Sequence, residues 1–332
     1  MSGPVRMGVV GAGALGYHHV RILRELDDVA LQGFVDVRPE RAAQVASELG
    51  VRAYDDLASL LDHVDAITVV VPTPAHFEVA RAAVTRGTHV LIEKPITATL
   101  DDADELLAIA RRTGARVQIG HVERFNRAVR AALPHISAPR FVQVDRLAPF
   151  NPRGADVAVV LDLMIHDIDL VLTLIGGQAV EIAAVGVPVL TPSVDIANAR
   201  LVFSSGAVAN ITASRVSRER MRKVRLFQPN GYLSLDLGAG TGEFYRLRPD
   251  IDLVELAAAP RDVEAFVERI RLEAPEAEPL RLEFESFVAA IRGERETAVP
   301  GAAGREALAV ALRIVQEIER TLPALAGTRP GA

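Results

Sequence analysis

Cysteine is absent from the 332-residue chain, which removes disulfides, thiol catalysis and every zinc site that depends on thiolate ligands. No apolar run approaches the roughly 20 residues that a membrane-spanning helix needs. The stretch from Met1 to Arg6 lacks the charged, apolar and small-residue succession of a signal peptide and leads into a strand-like run, so a cytoplasmic protein is expected. Excess positive charge is missing as well. The formal net charge is -6, whereas a nucleic-acid partner would need a basic surface for its phosphates. Repeats and low-complexity tracts are also lacking. What remains is the composition of a soluble globular protein, 49% hydrophobic and 24% charged, in a chain too long for one ordinary core, so two domains are expected.

The first 120 or so residues alternate two periodicities. Strand-like apolar runs fall at Val5–Val10, Ala30–Asp36, Asp65–Val71, His89–Ile92 and Arg116–Ile119. Between them lie helix-like stretches such as Pro39–Leu49, Ala75–Arg86 and Leu100–Arg112, the last entered through the N-cap Thr99. This repetition predicts a Rossmann-like, doubly wound parallel sheet. After Phe141 the pattern changes. One helix near Val159–Ile175 precedes strand candidates from Val180 to about Leu256, with turns at Ser204–Gly206, Pro229–Gly231 and Gly238–Gly242. Two helices follow, near Arg281–Ile291 and Gly304–Thr321. The second half therefore reads as an α+β domain with a large, mostly antiparallel sheet. The expected division is 1–122 for the parallel-sheet domain, 123–325 for the α+β domain, and a flexible tail at 326–332.

The first chemical signal is Gly11-Ala12-Gly13-Ala14-Leu15-Gly16 between the opening strand and a helix. Gly11 permits the tight turn, Gly13 lets backbone approach a pyrophosphate, and Gly16 allows close packing of helix on strand. The phosphates would sit at the helix N-terminus. Asp36, at the end of the second strand, lies where an acidic residue binds the adenosine ribose hydroxyls. A 2′-phosphate facing that carboxylate would be repelled by about 4 kcal/mol at 4 Å separation and an effective dielectric near 20. Arg38 works the other way, since its guanidinium can pair with that phosphate. NAD is the expected cofactor, with NADP as a second choice.

Glu93-Lys94-Pro95 follows the strand run His89–Ile92. Ligands of open parallel sheets bind outside the carboxyl ends of strands, which is where Lys94 stands. In order, the glycine turn, Asp36, Pro72-Thr73-Pro74 with His76, and Glu93-Lys94-Pro95 resemble the N-terminal half of the Gfo/Idh/MocA oxidoreductases. The resemblance implies that Lys94 lies in the active site and that Thr73, Pro74, His76 and Glu93 border the dinucleotide. It also implies an aspartate and a histidine four residues apart in the second domain, and Asp162 and His166 supply them. Residues at that spacing share one helix face. Histidine, titrating near neutrality, suits removal of a hydroxyl proton. Structural readings remain beside the catalytic ones: a salt-bridged Asp162, a His166 bonded to a buried carbonyl, a metal site with Asp169, or a surface His76. His18 and His19 read as ordinary residues of the first helix.

The resemblance continues through Gly120–Asn126, where relatives place substrate-facing residues, here Arg124 and Asn126, and through the closing helices. Implied roles follow: His166 takes the hydroxyl proton with help from Asp162, and Lys94 stabilises the developing negative charge. The basic run Ser214–Arg225 would, as a strand, place Arg218, Arg220 and Arg222 on one face, and Lys223 with Arg225 on the other. Such a face could clamp a diphosphate, or merely protect an edge strand. Together with Gly120–Asn126 it is similar to the branch that oxidises the 3-hydroxyl of UDP-N-acetylglucosamine. An inositol or free-sugar dehydrogenase, an NAD-dependent glycosidase and a non-catalytic NAD sensor are the alternatives. Because Glu181–Val189 is apolar at both alternating sets of positions, one sheet face is expected to bury against a second subunit, in a dimer or tetramer.

Overall fold

The computed structural model describes residues 3–151, 157–248 and 266–326. They form two compact units: one comprises the chain up to Val122 with Ala277–Ala309, the other Glu123–Glu276 with the chain from Val310.

The first unit is a five-stranded, wholly parallel sheet with strand order β2-β1-β3-β4-β5. Its strands are β1 (Val5–Val10), β2 (Val29–Val35), β3 (Ala66–Val69), β4 (His89–Glu93) and β5 (Val117–Gly120). An isolated parallel bridge from Phe34 to Ala53 adds a vestigial strand beyond β2. The connecting helices are α1 (Ala14–Arg24), α2 (Pro39–Leu49), α3 (Leu57–Leu61), α4 (His76–Thr85) and α5 (Leu100–Thr113). Every residue of β3 and all but one of β1 are buried, as expected of strands covered on both faces. Thr99 does cap α5, accepting a hydrogen bond from the Asp102 N–H at 3.1 Å.

A sequence boundary after residue 122 does not divide the molecule cleanly. Phe284, Phe287, Val288 and Ile291 of α8 (Pro279–Ile291) pack into one core with Val5, Met7, Val9, Leu23 and Phe34. The first turn of α9 (Gly301–Ala326) lies so close to β5 that a Cβ on Gly304 would stand 2.4 Å from Ile119. Burial of these aromatic side chains, not proximity along the chain, assigns 277–309 to the first unit.

The second unit is built on an eight-stranded sheet, ordered β13-β12-β11-β10-β6-β9-β8-β7. Its strands are β6 (Phe141–Leu147), β7 (Ala179–Val187), β8 (Ile196–Phe203), β9 (Val208–Ser214), β10 (Met221–Gln228), β11 (Gly231–Asp236), β12 (Thr241–Leu247) and β13 (Val267–Leu272). All neighbours are antiparallel except β6 and β9. The sheet-facing helices include α6 (Arg127–Ala132) and α7 (Ile165–Ile175). Burial alternates along β8 and through most of β9, β10 and β11, so one face carries the core and the other faces outward. Across that outer face runs a register-matched row: Val202, Val208, Phe141, Phe227, Tyr232 and Tyr245. Its four rings follow one another at 5.7, 5.3 and 4.8 Å between centroids.

The expected strand residues from Pro249 to Leu256 lie outside the described residues. Ala326, expected in the tail, still belongs to α9, and 327–332 are likewise outside. No helix among the described residues is long and apolar enough to cross a membrane.

Candidate active site

In the first unit the strand order reverses between β1 and β3, and open parallel sheets bind ligands at such a switch point, beyond the carboxyl ends of the strands. The glycine turn follows β1, and the Pro72–His76 turn follows β3. Gly11 has φ +96°, and a Cβ there would stand 2.4 Å from the Val70 carbonyl oxygen; a Cβ on Gly16 would stand 1.9 Å from the Gly11 oxygen. The chain's own packing thus requires both glycines. Gly13 differs, because its nearest neighbour would be Arg38 Nη2 at 3.8 Å. It caps α1 without offering a side chain to the first N–H groups. Open space before a Cβ-free helix N-terminus fits a pyrophosphate. Ala14 and Leu15 are exposed at the same turn, so the residues present fit a dinucleotide.

Asp36 lies beside this turn. Its carboxylate accepts hydrogen bonds from the Ala12 N–H at 2.8 Å and from the Arg38 N–H, Nε and Nη2 at 3.0, 3.0 and 3.1 Å. Burial works to raise its pKa, but the bonds from Arg38 and Ala12 prevail and hold the carboxyl below the usual range. Arg41 completes the arrangement: its Nε donates to the Ala12 oxygen at 2.8 Å and its Nη2 to the Gly13 oxygen at 3.3 Å.

The Glu93-Lys94-Pro95 turn ends β4. Glu93 is buried, and Lys94 is half-buried. His76, expected to border the dinucleotide or to be a surface histidine, is 1% exposed, which removes the surface reading. Its Nδ1 lies 2.8 Å from the Pro95 oxygen and its Nε2 2.9 Å from the Val71 oxygen, so the ring ties together the turns after β3 and β4. Burial pushes its pKa below the ordinary value, and a neutral ring can donate to only one of those carbonyls. Thr73 and Pro74 form the 3₁₀ turn that leads into α4.

In the second unit Asp162 and His166 are both half-buried. The expected unbroken helix is interrupted: Val160–Met164 is a π turn, closed by the Ile165 N–H on the Val160 oxygen, and α7 starts at Ile165. A π turn holds more residues than the 3.6 of an α-helical turn. Four residues across it come closer to one full rotation, so Asp162 and His166 stand nearer a common azimuth than in a regular helix. Both carboxylates after His166 are engaged by arginine forks. Asp167 receives Arg146 Nε and Nη2 at 2.8 Å each, and Asp169 receives Arg124 Nε and Nη2 at 2.7 and 2.6 Å. Burial raises the Asp167 carboxyl above its usual range, opposed by Arg146.

Two of the residues expected to face substrate, Arg124 and Asn126, have intramolecular partners. Arg124 directs its fork at Asp169, anchoring α7. Asn126 caps α6: its Oδ1 accepts from the Ala128 N–H at 3.0 Å, and its Nδ2 donates to Glu123 at 3.1 Å and to the Leu237 oxygen at 2.9 Å. The basic run also divides. Residues 215–220 connect β9 to β10 and do not form strand, so Arg218 and Arg220 do not align with Arg222 by alternation. Arg215 is buried against Asp195 at 2.8 Å. Arg222 alone of the expected trio is on β10, opposite Arg146 in register; its guanidinium is 3.7 Å from Glu123 and its side chain is 45% exposed.

Residues 5–121 match the profile of an oxidoreductase family with an NAD-binding Rossmann fold, and residues 118–234 match the Gfo/Idh/MocA C-terminal domain. The chain is 39% identical to the UDP-N-acetylglucosamine 3-dehydrogenase of Acidithiobacillus ferrooxidans, over 96% of this chain and 98% of that one. The chain belongs to the Gfo/Idh/MocA oxidoreductase family. A solved structure of that dehydrogenase superposes with a TM-score of 0.87 at 38% identity, covering 96% of this chain and 99% of that one. The myo-inositol 2-dehydrogenase of Thermotoga maritima is 30% identical over 64% of this chain and 69% of its own.

Three features of this family member escape a reading of sequence. The Arg146 and Arg124 forks hold Asp167 and Asp169 of α7 from segments remote in sequence, where no motif marks them. The π turn leaves no periodicity to detect in five residues. Lysine scarcity is the signal that was available: Lys94 and Lys223 are the chain's two lysines among 37 basic residues.

Proposed function

We propose that the protein oxidises a secondary hydroxyl of a nucleotide sugar, the 3-hydroxyl of a UDP-N-acetylhexosamine. The observation that carries this reading is the similarity, sustained over nearly the whole of both chains, to an enzyme named for that reaction. The inositol dehydrogenase likeness is lower in identity and shorter in span. When bound, NAD supplies a hydride acceptor. Gly11, Gly13, Gly16 and Asp36 hold its pyrophosphate and ribose. His166 accepts the hydroxyl proton, with Asp162 keeping the ring oriented, and Lys94 stabilises negative charge on the substrate oxygen. Arg222 faces the sugar nucleotide's phosphates, since its side chain is 45% exposed and Arg suits bidentate phosphate recognition.

The test is NADH formation with UDP-N-acetylglucosamine, drawn forward by an aminotransferase acting on the ketone, beside myo-inositol and glucose. NADH with the nucleotide sugar supports the assignment. NADH with inositol or glucose and none with the nucleotide sugar overturns it.

We also propose a dimer or tetramer formed through the outer face of the eight-stranded sheet. Val185 and Val187 of β7 are 46% and 43% exposed there, and the row of Phe141, Phe227, Tyr232 and Tyr245 adds further apolar side chains to the same face; exposed apolar side chains gathered on one face mark contact surfaces. Light scattering at micromolar protein should report the oligomer, and a monomer would contradict it.

A further inference from the structure

His19 is in the middle of α1, the helix whose N-terminus faces the glycine turn, and its ring is fully buried. Nδ1 stands 3.2 Å from the Thr68 hydroxyl on β3, and Nε2 stands 3.3 Å from Glu93 Oε1 at the end of β4. Phe284 closes the third side, edge-on at 5.1 Å between centroids. Glu93 immediately precedes Lys94. Its carboxylate occupies space left by Gly120 on β5, where a Cβ would stand 2.9 Å from the Glu93 carboxyl carbon. A carboxylate buried in this way is costly unless paired. Burial opposes its ionisation, but the contacts with His19, Lys94 and His76 prevail and hold its pKa below the usual range. An apolar residue at 93 would fill a strand end without that cost, and a leucine at 19 would serve α1 packing equally well.

We propose that His19 is a positioning residue for Lys94: through Glu93 it fixes the Glu93-Lys94-Pro95 turn to the pyrophosphate-binding helix. The chain of contact runs from α1 through imidazole and carboxylate to the peptide that carries the lysine. His76 secures the far side of the same turn at the Pro95 oxygen. Two buried histidines thus hold one short turn, while Gly120 leaves the carboxylate its place. The inference rests on the oxidoreductase reading and assigns His19 no contact with substrate.

The test compares His19→Leu, His19→Gln and Gly120→Ala with the wild-type holoenzyme, using whichever sugar substrate the wild type oxidises. His19→Leu removes the polar edge facing Glu93. Gly120→Ala displaces the same carboxylate from the opposite side without touching His19. Each should lower kcat roughly 10- to 100-fold, the scale of an ångström-sized misplacement of a reacting group. The NAD dissociation constant, read by isothermal titration calorimetry, should stay within about twofold, the pattern of an interaction expressed in turnover and not in binding. His19→Gln restores an N–H donor on a side chain of similar reach and should recover most of kcat. Normal kcat in His19→Leu overturns the proposal. So does a glutamine variant as slow as the leucine one, which would make ring volume the requirement, or parallel loss of NAD affinity, which would make it a fold defect. A wild type that forms NADH with no sugar substrate instead removes the oxidoreductase reading, and this proposal with it.

Discussion

Among 37 basic side chains, only those at 94 and 223 are lysine, so the cation ending β4 stands where this chain elsewhere uses arginine. A lysine ammonium is a compact point charge with three rotatable donors, whereas a guanidinium is a planar fork. Lys94→Arg should therefore lose turnover by roughly 100-fold, as should His166→Ala, the usual scale for a lost general acid–base group. NAD binding should survive in both, measured by isothermal titration calorimetry. A Lys94→Arg enzyme with normal turnover would show that charge alone is needed there. Asp36 gives a second residue-scale prediction. Its carboxylate now holds Arg38, so Asp36→Ser should weaken NAD binding about tenfold or more, on the scale of a lost charge-assisted hydrogen bond. The released Arg38 should then improve NADP binding. Both dissociation constants check it, and an unchanged preference would count against the ribose assignment.

The elements of the first unit were largely legible because buried parallel strands and amphipathic helices carry opposite periodicities, and β1 and α2 occur at the limits the pattern implied. The central strand β6 was not legible. Its charged pair Asp145-Arg146 obscures the alternation, and only the fold reveals that Arg146 is buried to hold Asp167 and Glu123. Strand β13 was missed for a similar reason, with Glu268, Arg269 and Arg271 interrupting its apolar positions. The expected line of arginines failed because residues 215–220 turn between strands, and alternation applies only within a strand. The connection after β7 carries its own prediction. Asp195 accepts bonds from the Val189, Leu190 and Thr191 N–H groups at 2.8, 2.6 and 2.9 Å while pairing with Arg215. Burial opposes its ionisation, but these bonds prevail and depress its pKa far below the ordinary value. A depressed carboxylate contributes stability fully above its unfolded pKa and loses it as pH falls toward the folded one. Asp195→Asn should thus cost about 3–5 kcal/mol at neutral pH, as a broken buried ion pair does. That deficit should shrink at acid pH in chemical denaturation, and a deficit independent of pH would contradict the assignment.

At the scale of the molecule, family membership fixes the NAD-binding fold and the oxidoreductase class, while substrates vary widely on one scaffold. The glycine turn, Asp36, Lys94 and the Asp162–His166 pair were readable as types and spacings. The contacts of His19 with Glu93, Arg146 with Asp167 and Arg124 with Asp169 were not, because each joins segments remote in sequence. The central claim is that hydride leaves C3 of a UDP-N-acetylhexosamine for NAD. The most direct measurement incubates the wild-type enzyme with NAD and UDP-N-acetylglucosamine deuterated at C3, then weighs the reduced cofactor by mass spectrometry. The account predicts one deuterium carried into the reduced nicotinamide and a 3-keto sugar nucleotide lacking it. Reduced cofactor without deuterium, or no reduced cofactor while inositol is oxidised under the same conditions, would contradict it.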